Sequence, residues 1–310
     1  MRILLAGASG VIGRHAVPRL IAAGHQVIGT SRRPAGLAAV AEMGAIAVPL
    51  AAERVDDVIR VVREARPDVV IHMLTDLKKP MDFRRLDQSL ATTNVLRTRT
   101  TDALLRAATE VGVSRVIAQS FAGWFCEPAA DAGPAPLLLR PPSGAGQTVA
   151  ALRHLETAVT SAPSVSGVVL RFGPIYGAHT SVGAGGSVVA QVRRRRIPIV
   201  GHGQGVWSFC HVEDAGAAVA FAVESDLAGI VDVVDDDPAP VASWLPEFAF
   251  SVGASPPRRV PRWLARPAIG AFGVHLMTRT AGASSDPIRA AGFKPRWSTW
   301  RDGFRWALRD

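Results

Sequence analysis

The sequence contains very little cysteine, tyrosine and lysine. Its two cysteines, Cys126 and Cys210, cannot build a disulfide framework, and they fit a reducing compartment. It has no uninterrupted apolar run of about 18 residues, the length that a membrane-spanning helix needs. The short apolar run near Met1 is interrupted by glycine at Gly7, so it does not make a signal peptide. We therefore expect a cytoplasmic protein with no membrane partner.

The positive charge of the chain comes almost entirely from arginine. The 35 basic and 26 acidic residues give a formal net charge of +9, but only three of the basic residues are lysine. An arginine-rich, alanine-rich and glycine-rich composition is typical of GC-rich coding, so the charge alone does not indicate a nucleic-acid partner. The densest basic run, residues 193–196, fits a solvated helix end, and no nucleic-acid-binding motif accompanies it. We expect no nucleic acid among the partners.

The first 13 residues carry the clearest motif of the sequence. Residues 3–6 form an apolar run typical of a buried strand, and an amphipathic helical pattern covers residues 11–23. Between them, Gly7, Gly10 and Gly13 recur at a spacing of three. In a dinucleotide-binding unit such glycines allow a tight turn, a close approach to the pyrophosphate, and close packing of helix on strand. The order of strand, glycine turn and helix predicts a dinucleotide site.

The residues after the second predicted strand, 26–30, indicate the type of dinucleotide. An acidic residue there would bind the ribose hydroxyls of NAD. The chain instead has Ser31, Arg32 and Arg33. A hydroxyl and two guanidinium groups suit a 2′-phosphate, because arginine binds phosphate through paired, charge-assisted hydrogen bonds. We predict NADP as the cofactor, with NAD as the alternative.

Further apolar and helical segments alternate along the chain. This alternation predicts an α/β fold, a parallel sheet with helices on both faces. The predicted strands cover residues 45–50, 68–73, 113–118 and 206–211, and the predicted helices cover 53–65, 81–111 and 147–161.

Six short motifs follow one another in a fixed order. They are G-A-S-G-V-I-G at 7–13, D-V-V-I-H at 68–72, N-V-x-x-T at 94–98, R-V-I-A-Q-S at 115–120, L-R-F-G-P-I-Y-G at 170–177 and H-V-E-D-A at 211–215. Together they resemble the extended short-chain dehydrogenases/reductases of the NAD-dependent epimerase/dehydratase family. The resemblance implies a Rossmann-type doubly wound parallel sheet with a smaller C-terminal substrate lobe, and a possible homodimer. It places the first domain at residues 1–172 and most of the substrate lobe at 173–310, with 206–234 returning to the sheet.

The resemblance also implies a set of cofactor contacts. These would run from the pyrophosphate through the 2′-phosphate to the nicotinamide end. They are Gly7, Gly10, Val11, Ile12 and Gly13 at the pyrophosphate, Ser31 and Arg32 at the 2′-phosphate, Met73, Leu74 and Thr75 at the ribose and nicotinamide, Asn94 beside the cofactor, and Pro174 and Ile175 at the carboxamide.

The catalytic pair of the family is missing. The resemblance implies Tyr-x-x-x-Lys on the helix after the fifth strand, where the lysine lowers the pKa of the tyrosine and lets it act as acid or base. The single tyrosine, Tyr176, lies elsewhere. With Glu156 taken as the usual glutamate of the family, Thr148 falls at the tyrosine position and Leu152 at the lysine position.

Three polar residues remain as catalytic candidates. Ser120 is the only hydroxyl at the serine position of the family. An unassisted alkyl hydroxyl ionises too weakly for Thr148 to replace a phenol as an acid, although it can orient a substrate oxygen. Asp76 follows the fourth strand, at the sheet edge where ligands bind, and it is either a site residue or a helix cap. The histidines and cysteines show no metal-ligand spacing.

Three explanations of the missing pair stay open: a relocated acid/base, a bound cofactor used for redox-neutral chemistry or none, and a substrate that needs no strong proton donor. We predict an NAD(P)-binding oxidoreductase or epimerase/dehydratase-like enzyme that acts on a small polar organic substrate. The alternative is a cofactor-binding regulatory protein without dehydrogenase activity.

Overall fold

A seven-stranded parallel sheet forms the centre of the molecule. The computed structural model describes residues 1–77, 81–127 and 134–307, and within them the sheet has the order β3-β2-β1-β4-β5-β6-β7. Its strands are β1 Arg2–Ala6, β2 Gln26–Ser31, β3 Ile46–Pro49, β4 Val69–His72, β5 Arg115–Phe121, β6 Ser166–Phe172 and β7 Gly229–Val233. The strand order reverses between β1 and β4, which opens a crevice at their carboxyl ends. The predicted Rossmann-type doubly wound sheet is confirmed.

Helices cover both faces of the sheet, which explains why its strands are apolar on both sides. Helices α1 and α9 cover one face, and α3, α6 and α7 cover the other. The helices are α1 Gly13–Ala22, α2 Pro34–Glu42, α3 Val55–Ala65, α4 Leu86–Ser89, α5 Ala91–Val95, α6 Thr101–Val111, α7 Gly146–Thr160, α8 Ser187–Arg193, α9 Val212–Glu224, α10 Val241–Ser251, α11 Arg262–Thr278, α12 Asp286–Ala290 and α13 Trp300–Ala307.

A smaller lobe follows β6. Helices α8, α10, α11 and α13 form it around an aromatic core, together with three two-stranded sheets. The pairs are Ile175–Tyr176 with Cys210–His211, Val206–Trp207 with Ala239–Pro240, and Ile199–Val200 with Arg259–Val260. Helix α11 is kinked at Gly270, whose φ of +71° is outside the helical region. None of the helices in the described parts of the chain combines the length and the apolar character needed to cross a membrane.

The prediction of one helix over residues 81–111 is wrong. The described residues form a 3₁₀ turn at Phe83–Arg85, then α4 and α5, then a π-helical turn at Leu96–Thr100, and only then α6. The cause of the wide turn lies in β4. The His72 ring donates from Nε2 to the carbonyl oxygen of Leu96 over 3.1 Å. This carbonyl therefore accepts a hydrogen bond from a side chain outside the helix, which interrupts the regular helical pattern.

The prediction of one strand over residues 206–211 is also wrong. The segment divides into Val206–Trp207 and Cys210–His211, which belong to different two-stranded sheets. Between the two halves, the Ser208 hydroxyl donates to the carbonyl oxygen of Ala283 and accepts from its N–H. This anchoring turns the chain before a continuous ladder can form. Within residues 206–234, Gly229–Val233 joins the large sheet as its edge strand.

Candidate functional site

The glycine turn after β1 is too tight for any side chain. Gly7 has φ +95°, and a Cβ there would lie 2.8 Å from the carbonyl oxygen of Met73. A Cβ at Gly13 would lie 2.5 Å from the carbonyl oxygen of Ala8. Helix α1 begins at Gly13, and the residue before it, Ile12, provides no side-chain cap. The N–H groups of Arg14 and His15 bond to carbonyl oxygens of the turn, whereas those of residues 11–13 make no backbone hydrogen bond among the described residues. These three N–H groups are free for an anionic ligand, and the turn fits a pyrophosphate.

The end of β2 is followed by two exposed arginines. The Ser9 hydroxyl donates to the Ser31 hydroxyl over 2.9 Å, and Ser31 is buried beneath Gly36. Arg32 is exposed, and its Nη1 lies 3.2 Å from Oε1 of Glu53. Of the two residues predicted at the 2′-phosphate, the structure leaves Arg32 accessible and holds Ser31 inside the turn.

The end of β4 is fixed by a neutral histidine. The Met73 N–H donates to Ala6, continuing the ladder with β1. The next N–H, of Leu74, donates to Nδ1 of His72 over 3.3 Å, while Nε2 of the same ring binds Leu96. Burial lowers the pKa of His72 to about 4, so the ring is uncharged at neutral pH. His72 is thus a buried core histidine with both ring nitrogens bonded, and it fixes Leu74, between Met73 and Thr75, at the end of β4.

Asp76 is joined to α5. Its N–H donates to Oγ1 of Thr93 over 3.0 Å, and the same hydroxyl contacts the Asp76 carbonyl oxygen at 3.3 Å. The two backbone contacts leave the carboxylate of Asp76 half-buried at the crevice. Thr93 precedes Asn94, so Asp76 and Asn94 lie on the same side of the site.

The hydroxyl of Thr148 is committed to two partners. It donates to Oδ1 of Asp87 over 2.8 Å and accepts from Nδ2 of Asn94 over 3.2 Å. The Asp87 carboxylate also accepts the backbone N–H groups of Gln147 and Thr148, so it caps the start of α7 from a neighbouring helix. Asp76, Asn94 and Thr148 are thus brought to one region, and Thr148 acts there as a fully buried link.

Ser120 lies in a separate buried ion-pair network. Its hydroxyl donates to Oε1 of Glu156 over 2.6 Å, and Arg171 binds both carboxylate oxygens of Glu156 at 2.7 and 2.6 Å. Because an α-helix rises 1.5 Å per residue, Glu156 lies about 12 Å along α7 from Thr148. Asp232 is also buried close to this network, and burial raises its pKa to about 6. The structure does not bring Ser120 and Thr148 into contact.

Neither Leu152 nor Tyr176 can take the place of the missing pair. Leu152 is fully buried and packs in an apolar cluster of the lobe. Tyr176 is fully buried as well, against Phe209 and Phe304, and burial raises the pKa of its hydroxyl well above the usual range. A phenol of that kind does not exchange protons near neutral pH.

The segment after β6 carries the last two predicted contacts. The Pro174 carbonyl oxygen accepts from the N–H of Cys210 over 3.2 Å, and Ile175 pairs with Cys210 in a short parallel sheet. These bonds hold the segment against the lobe, directly beyond the carboxyl end of β6. Pro174 is buried and Ile175 is half-buried.

Six aromatic side chains, which we call the aromatic cluster, line the boundary between sheet and lobe. Phe121 and Trp124 lie 4.9 Å apart between ring centroids, and Trp124 and Trp207 lie 4.7 Å apart. Phe121 and Trp207 are half-buried, and the Trp124 indole N–H is buried without a partner among the described residues. The cluster consists of Phe83, Phe121, Trp124, Phe125, Trp207 and Phe272. It packs against Leu152, the residue at the lysine position of the Tyr-x-x-x-Lys pair.

Sequence reasoning missed Asp87, Arg97 and the aromatic cluster. Asp87 is distant from α7 in sequence, so only the fold shows that it caps that helix. Arg97 follows Asn94 by three residues, and this helical spacing on a shared face is the signal that could have found it. Within residues 1–77, 81–127 and 134–307, no group of three or more His, Cys, Asp or Glu side chains is placed to hold a metal ion.

Comparison with known proteins agrees with this architecture. The model of the NAD dependent epimerase/dehydratase family matches residues 3–233. A 3-diazoavenalumate denitrifying reductase from a Streptomyces species is 41% identical over 311 residues, covering 98% of this chain and 99% of that protein.

Solved structures show the same fold. UDP-glucose 4-epimerase from Thermus thermophilus, in complex with NAD, superimposes with a TM-score of 0.72 at 24% identity, covering 99% of this chain and 97% of that one. A human epimerase family protein with NADPH gives a TM-score of 0.75 at 18% identity, with 99% of each chain covered. From the family match, which spans most of the sheet-forming chain, and the near full-length relative, we conclude that this protein belongs to the NAD-dependent epimerase/dehydratase family.

Proposed function

We propose that the protein is an NADP-dependent reductase that removes a diazonium group from an aromatic substrate as dinitrogen. The observation that carries the proposal is that α7 lacks the tyrosine and lysine that donate protons in the family. Among the described residues, the tyrosine position holds Thr148, bonded to Asp87, and the lysine position holds the buried, apolar Leu152. The 41% identical relative, named for denitrifying reduction of a diazo compound, supports the same reaction class.

Reduction of a diazonium group differs from reduction of a carbonyl in its need for a proton. A carbonyl becomes an alcohol only when a proton follows the hydride, which is the task of a general acid. When bound, a reduced nicotinamide supplies a hydride. At the diazonium carbon a C–H bond forms with the hydride pair, the C–N bond breaks, and its electron pair leaves with N₂. Cation and hydride neutralise each other, so the reaction requires no proton donor.

The cofactor contacts favour NADP. The glycine turn and the uncapped start of α1 would hold the pyrophosphate. Arg32, exposed at the end of β2, would bind the 2′-phosphate in exchange for its surface ion pair with Glu53. Met73, Leu74 and Thr75 would line the nicotinamide side from β4, and Pro174 and Ile175 would meet it from the end of β6.

The substrate side of the site favours a flat, cationic aromatic compound. Phe121 and Trp207 expose part of their rings at the boundary between sheet and lobe. Aromatic faces attract cations, with energies of about 0.5–2 kcal/mol. The half-buried carboxylate of Asp76 adds a negative charge at the same crevice. We propose that these groups orient the diazonium group toward the nicotinamide.

Isotope labelling tests this proposal directly. The purified protein would be mixed with 4-carboxybenzenediazonium and NADPH carrying deuterium at C4. We expect benzoate with deuterium at the former C–N position. In a second reaction, with unlabelled NADPH in D₂O, we expect benzoate without deuterium, and the turnover rate should change little with pH. The control is Gly10→Asp, in which a Cβ lies 3.0 Å from the carbonyl oxygen of Gly7 and the added carboxylate repels the pyrophosphate. Its rate should fall to the uncatalysed background.

Two results would contradict the proposal. Hydrogen taken from solvent would show that a proton donor acts in the site. Turnover of a panel of aldehydes and ketones, with no diazonium turnover above background, would favour a relocated acid/base instead.

A further inference from the structure

Two buried polar groups beside α7 have no partner among the described residues. Arg97, in the π turn Leu96–Thr100, is 6% exposed, and neither its Nε nor its Nη1 meets an acceptor. Asn94 donates from Nδ2 to Thr148, but its Oδ1 is buried without a hydrogen bond. A spacing of three residues places the two side chains on neighbouring positions of one helical face. A donor group and an acceptor group, three residues apart in sequence, are therefore left unpaired on this stretch of helix.

The charges nearby do not satisfy Arg97. Glu156 on α7 is close enough to favour its charged form, and Arg97 in turn disfavours protonation of His72. Both carboxylate oxygens of Glu156 are already bound, by Ser120 and Arg171. Burial lowers the pKa of Arg97 to about 10, which still leaves the guanidinium charged at neutral pH. A buried, charged donor without an acceptor costs free energy, so the fold alone does not account for its presence.

Arg97 lies near a helix that lacks the lysine of the family. The lysine position of α7 is the apolar Leu152, so α7 carries no cation toward the cofactor. Arg97 is buried close to His72 of β4 and to Glu156 of α7. On that helix, Glu156 lies about one turn beyond Leu152. The π-helical turn that carries Arg97 is a local geometry that is frequent at functional sites.

We propose that Arg97 and Asn94 bind the ribose hydroxyls of the nicotinamide half of the dinucleotide, with Arg97 supplying from the π turn the cation that α7 lacks. Arginine has five N–H donors and no acceptor, and a ribose hydroxyl can accept from it while donating to Oδ1 of Asn94. The inference rests on the nicotinamide cofactor of the proposed function and not on the diazo substrate.

Binding of two ligands to the apo protein tests this inference. NADP⁺ contains the nicotinamide ribose, and 2′,5′-ADP lacks it. In Arg97→Leu we expect NADP⁺ to bind about 10- to 100-fold more weakly, the loss that follows from removing a charge-assisted hydrogen bond, with 2′,5′-ADP binding unchanged. Arg97→Lys should recover part of the affinity. The matched control is Arg99→Leu, an exposed arginine of the same turn, which should bind both ligands normally.

Thermal unfolding of the same apo variants separates binding from a structural role. Removal of an uncompensated buried charge should leave the unfolding midpoint of Arg97→Leu equal to or above that of the parent protein. A lower midpoint together with equal weakening of both ligands would show that Arg97 supports the fold, and would overturn the inference. Unchanged NADP⁺ affinity in Arg97→Leu would overturn it as well. Because no substrate is present, these outcomes do not depend on the proposed diazo chemistry.

Discussion

At the residue scale, the site differs from its family at two positions of one helix. Thr148 keeps a hydroxyl at the tyrosine position but uses it to bridge Asp87 and Asn94. Leu152 replaces a cation by an apolar side chain that packs into the lobe. Both changes remove a proton donor from α7. The Thr148 side chain is stabilised by its hydrogen bonds, and the Leu152 side chain is stabilised by apolar packing. Helix α7 therefore lacks the Tyr-x-x-x-Lys pair of the family, and the catalytic roles predicted for Ser120, Thr148 and Asp76 stay predictions.

The proposed preference for NADP rests on Arg32, an exposed arginine at the end of β2. In Arg32→Ala we expect NADPH affinity to fall about 10- to 100-fold, because a charge-assisted contact with the 2′-phosphate is lost, with NADH affinity nearly unchanged. In Glu53→Gln we expect NADPH affinity to rise a few-fold, because the surface ion pair that competes for Arg32 is gone. Titration of protein fluorescence with each dinucleotide measures both effects.

The control for this pair is Arg66→Ala, at the far end of α3, which removes the same charge away from the turn. An equal fall in NADPH affinity in Arg66→Ala would mean that net charge, and not a contact at Arg32, sets the preference. Equal weakening of NADH and NADPH in Arg32→Ala would contradict the assignment of NADP.

At the element scale, α7 depends on a neighbouring helix for its first turn. Asp87 of α4 accepts two backbone N–H groups and the Thr148 hydroxyl, which are donors that a helix start leaves free. On the other side, His72 of β4 opens the π turn that carries Arg97. The site is therefore assembled where three elements meet, and the predicted single helix over 81–111 would not have produced it.

Loss of the Asp87 cap should destabilise the fold locally. In Asp87→Ala we expect the free energy of unfolding to fall by about 1–2 kcal/mol, the usual cost of losing a helix cap. Asp87→Asn should cost less, because its amide oxygen still accepts a hydrogen bond. Chemical denaturation followed by circular dichroism measures both variants. Gln88→Ala, at the exposed neighbour on α4, is the control, and a loss of equal size there would exclude a specific cap.

At the scale of the whole molecule, the lobe buries acidic groups that make stability depend on pH. Asp235 is 3% exposed, and burial raises its pKa to about 8. The folded protein then holds a proton that the unfolded chain, with its ordinary pKa near 4, has released. Stability therefore falls as pH rises from about 4 to 8, because ionisation stabilises the unfolded chain in this range while the folded carboxyl stays protonated. The fall ends above about pH 8, where the folded carboxyl ionises as well.

Replacement of this carboxyl should remove the pH dependence. In Asp235→Asn we expect a higher unfolding midpoint. The gain in unfolding free energy should be larger at pH 8 than at pH 5, and the two gains should differ by about 2–4 kcal/mol. Differential scanning calorimetry at the two pH values measures the difference. Asp302→Asn, at an exposed carboxylate, should show no such trend. A gain that does not change with pH would contradict a titrating Asp235.

The sequence by itself determined the sheet, the glycine turn and the loss of the catalytic pair. Apolar runs and glycines are local signals: a buried parallel strand must be apolar, and only glycine fits at Gly7 and Gly13. The absence of tyrosine and lysine from α7 is visible by counting. These features need no knowledge of which distant segments meet, and the predicted family and fold are confirmed.

Only the tertiary structure decided what surrounds α7. The Asp87 cap, the link between His72 and Leu96, and the aromatic cluster each join residues far apart in sequence, and no local pattern records such contacts. The same holds for Arg97, whose position in the chain looks like that of a surface arginine in a helix. Its Nε and Nη1 are buried without a partner among the described residues because β4 and α7 close around the π turn, and that closure is a property of packing.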